Sequence, residues 1–306
     1  MEKIEIFAPA TVANLSCGFD VLGCCLDSIG DTMIVRKNQI NEIRITKITG
    51  QDLPTDPLQN VAGVAVYALL KELGSQQGFD IEIHKKIKPG SGIGSSAASS
   101  AGAVFAVNKL LDEPFKPVDL VRFAMTGEML ASGNAHADNV APAILGGFSL
   151  VRSYEPFEVL SLPVPGDLRV VVLHPQIEIK TRDSRSIIKQ NISLKSAINQ
   201  WGNLAAFISA LYTNDYELIG RSLKDEIIEP VRSILIPYFD DLNGVAMDKG
   251  ALGFGISGSG PSVFALCKGE EKARDVKQAL SNFFSTKDIA FDIHSSTINR
   301  TGIKIL

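Results

Sequence analysis

The sequence predicts an α+β fold built from two unlike halves. Three observations carry that prediction: strand-type alternation and helix-type apolar stripes are interleaved along the chain, the two halves order them differently, and a stretch rich in proline and glycine separates them. In the first half, alternation marks strands at residues 4–7, 33–35, 43–48 and 79–83, and helical spacing marks 61–73, 96–111 and 118–132. Gly146-Gly147 is a turn into a further strand that reaches Val151. The separator, 154–168, holds Pro156, Pro163, Pro165 and Gly166 and is expected to be a linker, dividing the chain into domains 1–155 and 156–306. Beyond it, 168–173 is an apolar strand, and 194–211, 215–227 and 231–248 carry helical spacing. The chain closes as strand, helix, strand at 263–267, 270–284 and 289–294, with Val276, Leu280 and Phe283 on one stripe of that helix.

The most informative stretch is Pro89-Gly90-Ser91-Gly92-Ile93-Gly94-Ser95-Ser96-Ala97-Ala98-Ser99, between a strand-like run and a small-residue helix. Glycines let the backbone approach a ligand and take positive φ. A helix opening directly after such a loop aims unpaired N–H groups and the positive end of its dipole at whatever lies there. Phosphate is the natural guest, and a tight turn with a serine cap is the plainer alternative. No Gly-Lys pair precedes a Ser or Thr, which excludes a Walker loop. Gly253-Phe254-Gly255-Ile256-Ser257-Gly258 has dinucleotide-motif spacing, but a strand-like run at 261–267 follows it where that motif requires a helix.

At 306 residues and 45% hydrophobic, the chain can bury a full core. A net charge of −4 argues against a general nucleic-acid or anionic-membrane role. The first residues lack the order of a signal peptide and no apolar run reaches the length of a membrane span, so a cytoplasmic protein is expected. Cys17, Cys24, Cys25 and Cys267 lack C-x-x-C spacing and read as reduced, buried thiols.

Glu128 stands out among the carboxylates. Val121, Met125 and Glu128 share one stripe of the 118–132 helix while Phe123 and Leu130 lie opposite, so this helix is expected to be buried all round. A buried carboxylate needs a partner, either a salt bridge or a metal. Downstream, His136 and Asp138 sit in a polar cluster, 132–142, between apolar segments. Residues 8–23 read as a long loop of small and polar residues in which Asn14 and Asp20 could cap turns. Thr181, Arg185 and Arg232 complete the polar candidates.

Together these stretches resemble the GHMP kinases, and within them the homoserine kinase family. The loop at 89–99 resembles the family's P-x-x-x-G-x-G-S-S-A-A phosphate motif, and residues 253–262 resemble its C-terminal glycine-rich motif. Residues 8–23, His136-Ala137-Asp138-Asn139-Val140-Ala141-Pro142, Thr181 with Arg185, and Glu229-Pro230-Val231-Arg232 resemble the homoserine kinase signatures in the expected order. The resemblance implies an N-terminal domain like ribosomal protein S5 domain 2, a ferredoxin-like C-terminal domain and an active site between them. It implies phosphorylation of L-homoserine by ATP with Mg²⁺, a step toward threonine, in a possible homodimer. Carried over, residues 89–99 hold the phosphates, Asn60 lies near the base, and Ser96 and Glu128 hold Mg²⁺. Asn14, Asp20, His136, Thr181, Arg185 and Arg232 surround homoserine, and Asn139, Thr181 and Ser96 stand at the reacting groups.

Mevalonate-kinase-like relatives use an Asp base with a nearby Lys, whereas here Ala10-Thr11-Val12 carries no lysine and Asn139 occupies the place of the base. An amide cannot accept the hydroxyl proton, so attack without a dedicated protein base is the expectation. The rival readings are a GHMP kinase for a different small alcohol, and a non-catalytic nucleotide sensor on the same fold.

Overall fold

Alternating strands form a sheet where their apolar face finds a cover, and in the first half three helices supply it. The computed structural model describes residues 1–179 and 181–306, apart from the side chains of Thr181 and Arg182. The first half runs β1 (Lys3–Ala13), β2 (Leu22–Asn38), β3 (Ile43–Thr49), α1 (Val61–Leu73), β4 (Gly78–His84), α2 (Ser95–Leu110), α3 (Pro117–Ser132), α4 (Val140–Leu145), β5 (Phe148–Tyr154) and β6 (Phe157–Leu162). Its sheet has the order β11-β1-β2-β4-β3, with β5 on β2 and β6 on β5, where β11 is Lys304–Ile305 at the end of the chain. Ile4, Ile6 and Ala8 of β1 face inward. Gly102 lets α2 close onto them: a Cβ there would lie 3.1 Å from the Ala8 methyl. The run of buried alanines in α2 has the same origin, since only small side chains allow so close an approach of helix and sheet.

The second half runs β7 (Leu168–Pro175), α5 (Thr181–Ser186), α6 (Leu194–Thr213), α7 (Tyr216–Ser222), α8 (Glu229–Arg232), a 3₁₀ turn (Ser233–Leu235), α9 (Phe239–Asp248), β8 (Gly253–Ile256), β9 (Val263–Lys268), α10 (Gly269–Phe284) and β10 (Phe291–Thr297). Its antiparallel sheet has the order β10-β7-β9-β8, the strand order of a split βαβ, ferredoxin-like layer. The α+β expectation holds, with a sheet-and-helix core in each half. No described helix is long and apolar enough to cross a membrane, and all four cysteines are free and buried.

Several local expectations change. The stretch 154–168 holds a strand: β6 returns against β5, so the hairpin extends the first sheet. The loop expected at 8–23 shrinks to 14–21, because β1 continues through Ala13 past a bulge between Pro9 and Thr11. The helix expected at 231–248 breaks at Pro237, which lacks an N–H and pushes Ile236 to an extended conformation. The α3 helix is not buried all round, since Met129 and Leu130 are half exposed on its outer face. Glu128 nevertheless is buried.

Candidate active site

The glycine loop is shaped by where its glycines must pass. Gly90, Gly92 and Gly94 all have positive φ. A Cβ on Gly92 would stand 2.6 Å from the carbonyl oxygens of both Ser257 and Gly260. The loop is tied there to the C-terminal glycine turn: the Ser257 hydroxyl donates to the Gly92 carbonyl at 2.8 Å, and the Ser262 N–H to that of Ser91 at 3.2 Å. Gly94 then caps α2 in the left-handed conformation without a side-chain bond. The first helical bond runs from the Ala98 N–H to the Gly94 carbonyl, so the N–H groups before it have no partner within the helix and form an anion cradle.

The serines at this helix end divide by direction. Ser95 points inward, donating to the Ile87 carbonyl at 2.9 Å, and Ser99 is buried beside Lys85. Ala97 and Ala98 are fully buried. Ser95 and Ala97 therefore offer an anion only their backbone N–H groups, Ala98 and Ser99 lie at or beyond the first helical bond, and Ser96 stays partly exposed at the helix mouth. Asn60 is buried and held by its own helix end: it caps α1 by accepting from the Ala62 N–H at 3.0 Å and donates to the Pro54 carbonyl at 2.7 Å.

Glu128 approaches Ser96 because Gly127 packs against Ser100, where a Cβ would be 2.7 Å from the serine Cβ. Its Oε1 is buried without a hydrogen-bond partner. Burial pushes its carboxyl up to about 7, with Ser96 and Lys85 pulling the other way. Lys85, unnoticed in the sequence, forms a fully buried ion pair with Asp31 and donates to the Ser95 carbonyl at 2.9 Å and the Ser99 hydroxyl at 3.1 Å. Asp31 also accepts from the N–H groups of Lys86 and Ile87, at 2.7 and 2.9 Å, which fixes the strand leading into the loop. The alternation of Phe79, Ile81 and Ile83 puts Lys85 on the same buried face, and Met33 and Val35 do the same for Asp31. That was the available signal.

An orphaned buried carboxylate oxygen beside a partly exposed hydroxyl at an anion cradle fits Mg²⁺, which prefers oxygen and keeps waters and phosphate oxygens in its shell. Among the described residues no group of three His, Cys, Asp or Glu could hold a metal by itself. The donor set is thus one that a phosphate ligand must complete.

Between this cradle and the second half lies a polar seam. The Thr11 hydroxyl donates to Oδ1 of Asn139 at 2.7 Å, and Gly94 abuts both side chains. Asp138, next in the chain, is buried with Oδ1 unpartnered. Burial, then the negative charges of Asp20 and Glu128, push its carboxyl up to about 7.

The remaining candidates gather across the seam. Asn14, itself at positive φ, accepts from the Asp20 N–H at 3.0 Å and donates to the Gly258 carbonyl at 2.8 Å. Asp20 pairs with Arg185, and His136 Nδ1 lies 3.8 Å from its other oxygen. Burial, with the two arginines, holds the His136 pKa below its usual value against the pull of Asp20. Arg232 is 4% exposed and donates to the carbonyls of Ser184 at 3.1 Å and Gly258 at 3.2 Å. Burial lowers its guanidinium to about 10. Among the described residues it forms no salt bridge. Phe19, also missed in the sequence, carries both guanidiniums, at 5.5 Å for Arg185 and 4.9 Å for Arg232 from the ring centre. The Tyr154 hydroxyl closes the rim, accepting from the Ala137 N–H and donating to the Asp20 carbonyl. Thr181 opens α5, and its side chain lies outside the described residues.

Residues 60–147 match the GHMP kinases N terminal domain and residues 207–286 the GHMP kinases C terminal domain. The homoserine kinase of Chloroherpeton thalassium is 43% identical over 319 aligned positions, covering 100% of both chains. That of Methanococcus vannielii is 39% identical, covering 93% of this chain and 94% of its own. The crystal structure of homoserine kinase from Cytophaga hutchinsonii superposes with a TM-score of 0.96 at 48% identity, covering 100% of this chain and 98% of that one.

Proposed function

We propose that this chain, which belongs to the homoserine kinase family of the GHMP kinases, transfers the γ-phosphoryl group of ATP to the terminal hydroxyl of L-homoserine, a step toward threonine. The observation that carries the acceptor is Arg232, a buried guanidinium without a carboxylate among its described partners, beside an Asp20–Arg185 pair that a zwitterion can divide. Homoserine brings one ammonium and one carboxylate. Its ammonium replaces Arg185 at Asp20, and its carboxylate replaces Asp20 at Arg185 while also meeting Arg232. Asn14 retains a lone pair on its amide oxygen for the ammonium, and His136 borders the same space. Thr181 stays in the proposed acceptor set through its place in the motif.

On the other side, the N–H groups of the loop at 89–99 and the opening of α2 receive the triphosphate, with Asn60 shaping the adjacent wall. Ser96 and Glu128 would hold Mg²⁺, which when bound neutralises charge on the phosphates. Asn139, oriented by Thr11, stands between the two halves of the site and positions the attacking hydroxyl. A loose phosphoryl-transfer transition state leaves the protein mainly positioning and charge stabilisation to supply, so attack proceeds without a dedicated base. One observation favours a second reading, in which the buried carboxyl of Asp138, poised near neutrality with a free oxygen, takes the proton. A steep loss of kcat in Asp138→Asn, with both KM values kept, would select it.

ADP release measured with homoserine, mevalonate, galactose and shikimate in parallel tests the function. Turnover with homoserine alone is expected. Equal turnover with another alcohol reassigns the acceptor, and saturable ATP binding without turnover leaves a nucleotide sensor. A division of the chain between β6 and β7, a few residues beyond the expected 155, and the cytoplasmic setting, consistent with four buried thiols, belong to the same proposal.

A further inference from the structure

On the sheet face away from the helices lies a cleft of about 160 Å³ that the site above does not use. Phe7 lines it: Ile6 and Ala8 bury against α2, so Phe7 between them points the other way, and a Cβ on Gly30 would strike its ring. From the second half, His174 of β7 and Asp292 and His294 of β10 close the far wall. Two buried polar atoms at its floor have no partner among the described residues, the Ser91 hydroxyl and Nε2 of His174, on residues 1% and 4% exposed.

These two groups meet through Ser262, whose N–H donates to the Ser91 carbonyl at 3.2 Å and whose hydroxyl lies 3.1 Å from His174 Nδ1. With that hydroxyl donating to Nδ1, Nε2 carries the proton. Burial, then Lys88, lowers the ring to about 4, so it is a neutral donor. Lys86 and Lys88 stand at the exposed rim, Lys88 held by the Gln176 amide oxygen at 2.8 Å. The facing Asp292 has one oxygen engaged by the Gln176 amide nitrogen, and the rim keeps two cations to one anion. The donor-rich floor and cationic rim select an oxyanion, and among the described residues no His, Cys, Asp and Glu trio suits a metal.

We propose that this cleft is a second oxyanion site, separate from the glycine-loop cradle, where Ser91, His174, Lys86 and Lys88 hold inorganic phosphate or a small phosphate monoester. Because Ser91 belongs to the glycine loop and His174 to the second half, an occupant fastens the loop to the C-terminal glycine turn from behind.

The test uses the full chain saturated with a non-hydrolysable ATP analogue and Mg²⁺, so that the cradle is filled through its γ-phosphate position, and titrates in inorganic phosphate or glycerol 3-phosphate. Calorimetry follows binding, and imidazole NMR follows His174. Binding should raise the His174 pKa, because an anion at Nε2 favours the imidazolium form. The Lys86→Ala/Lys88→Ala variant, folded by its melting temperature, should bind at least about tenfold more weakly, and Ser96→Ala should bind as wild type. Tighter binding of either probe assigns the occupant. A His174 resonance that ignores both probes overturns the proposal, as does equal weakening in Ser96→Ala. The readout needs no turnover, so its failure is distinct from failure of the phosphotransfer reading.

Discussion

Arg185 and Asp20, 165 positions apart, are held together as an ion pair, with Arg185 Nη1 3.1 Å from Asp20 Oδ2 and the Phe19 ring beneath the guanidinium. On the proposed function, the pair keeps two charges matched until a zwitterion divides them. Asp20→Asn removes the charge that receives the ammonium while leaving the backbone turn that Asn14 fixes. Its KM for homoserine is expected to rise by about 10–100-fold, with that for ATP nearly unchanged. Steady-state kinetics with each substrate varied in turn decide this, and parallel increases in both KM values would count against the acceptor assignment.

Arg185 and Arg232 should separate on stability. Arg185 is partly exposed, whereas Arg232 is buried, donates to two carbonyls and packs on Phe19. Arg232→Ala leaves those carbonyls unsatisfied and should cost roughly 2 kcal/mol of folding stability. Arg185→Ala should raise the homoserine KM without a comparable cost. Thermal melts alongside kinetics check the contrast, and equal melting temperatures would defeat it.

Glu128 predicts a pH dependence of known sign. Its pKa rises from the ordinary 4.5 to about 7, so between those values the folded chain binds more protons than the unfolded one. Metal-free stability therefore falls as pH climbs through that window. Glu128→Gln should stabilise the metal-free protein at pH 8 by roughly 1–3 kcal/mol while abolishing most Mg²⁺-dependent activity. Urea titrations at pH 5 and pH 8 measure the first effect; a variant no more stable than wild type at the higher pH contradicts the burial argument.

Thr11 orients Asn139 through one hydrogen bond. Thr11→Val keeps the shape and removes the donor, so kcat is expected to drop about tenfold with both KM values little changed. Thr11→Ser should recover most of the loss. If the serine variant is as slow as the valine one, the methyl packing rather than the hydroxyl matters.

Gly92 tests the cradle itself. Alanine there combines a disfavoured positive φ with contact against two backbone carbonyl oxygens that cannot rotate away. Gly92→Ala should cost about 2 kcal/mol or more and raise the KM for ATP above that for homoserine. A variant with wild-type nucleotide affinity would mean that the loop adapts.

Much of the fold was legible because period and punctuation act locally. The alternation at 4–7 and 79–83 and the helical spacing at 61–73 and 270–284 needed no distant information. The failures at 154–168 and 8–23 occurred where a neighbouring strand decided the outcome, and the one at 231–248 where Pro237 ended the helix. Pairing with β5 makes 157–162 a strand despite the prolines around it, and β1 runs on through Ala13 because β2 lies beside it.

The sequence by itself determined that a glycine loop with positive φ opens α2 and leaves a helix start uncapped, since three glycines set that geometry within a dozen residues. It also named Glu128 as a buried carboxylate in need of a partner. Only the tertiary structure decided which serines of the loop turn inward, that Lys85 and Asp31 pair beneath it, and that Phe19 carries two arginines. Those facts depend on side-chain direction and on charges brought together across the chain, where desolvation and distance set the energies.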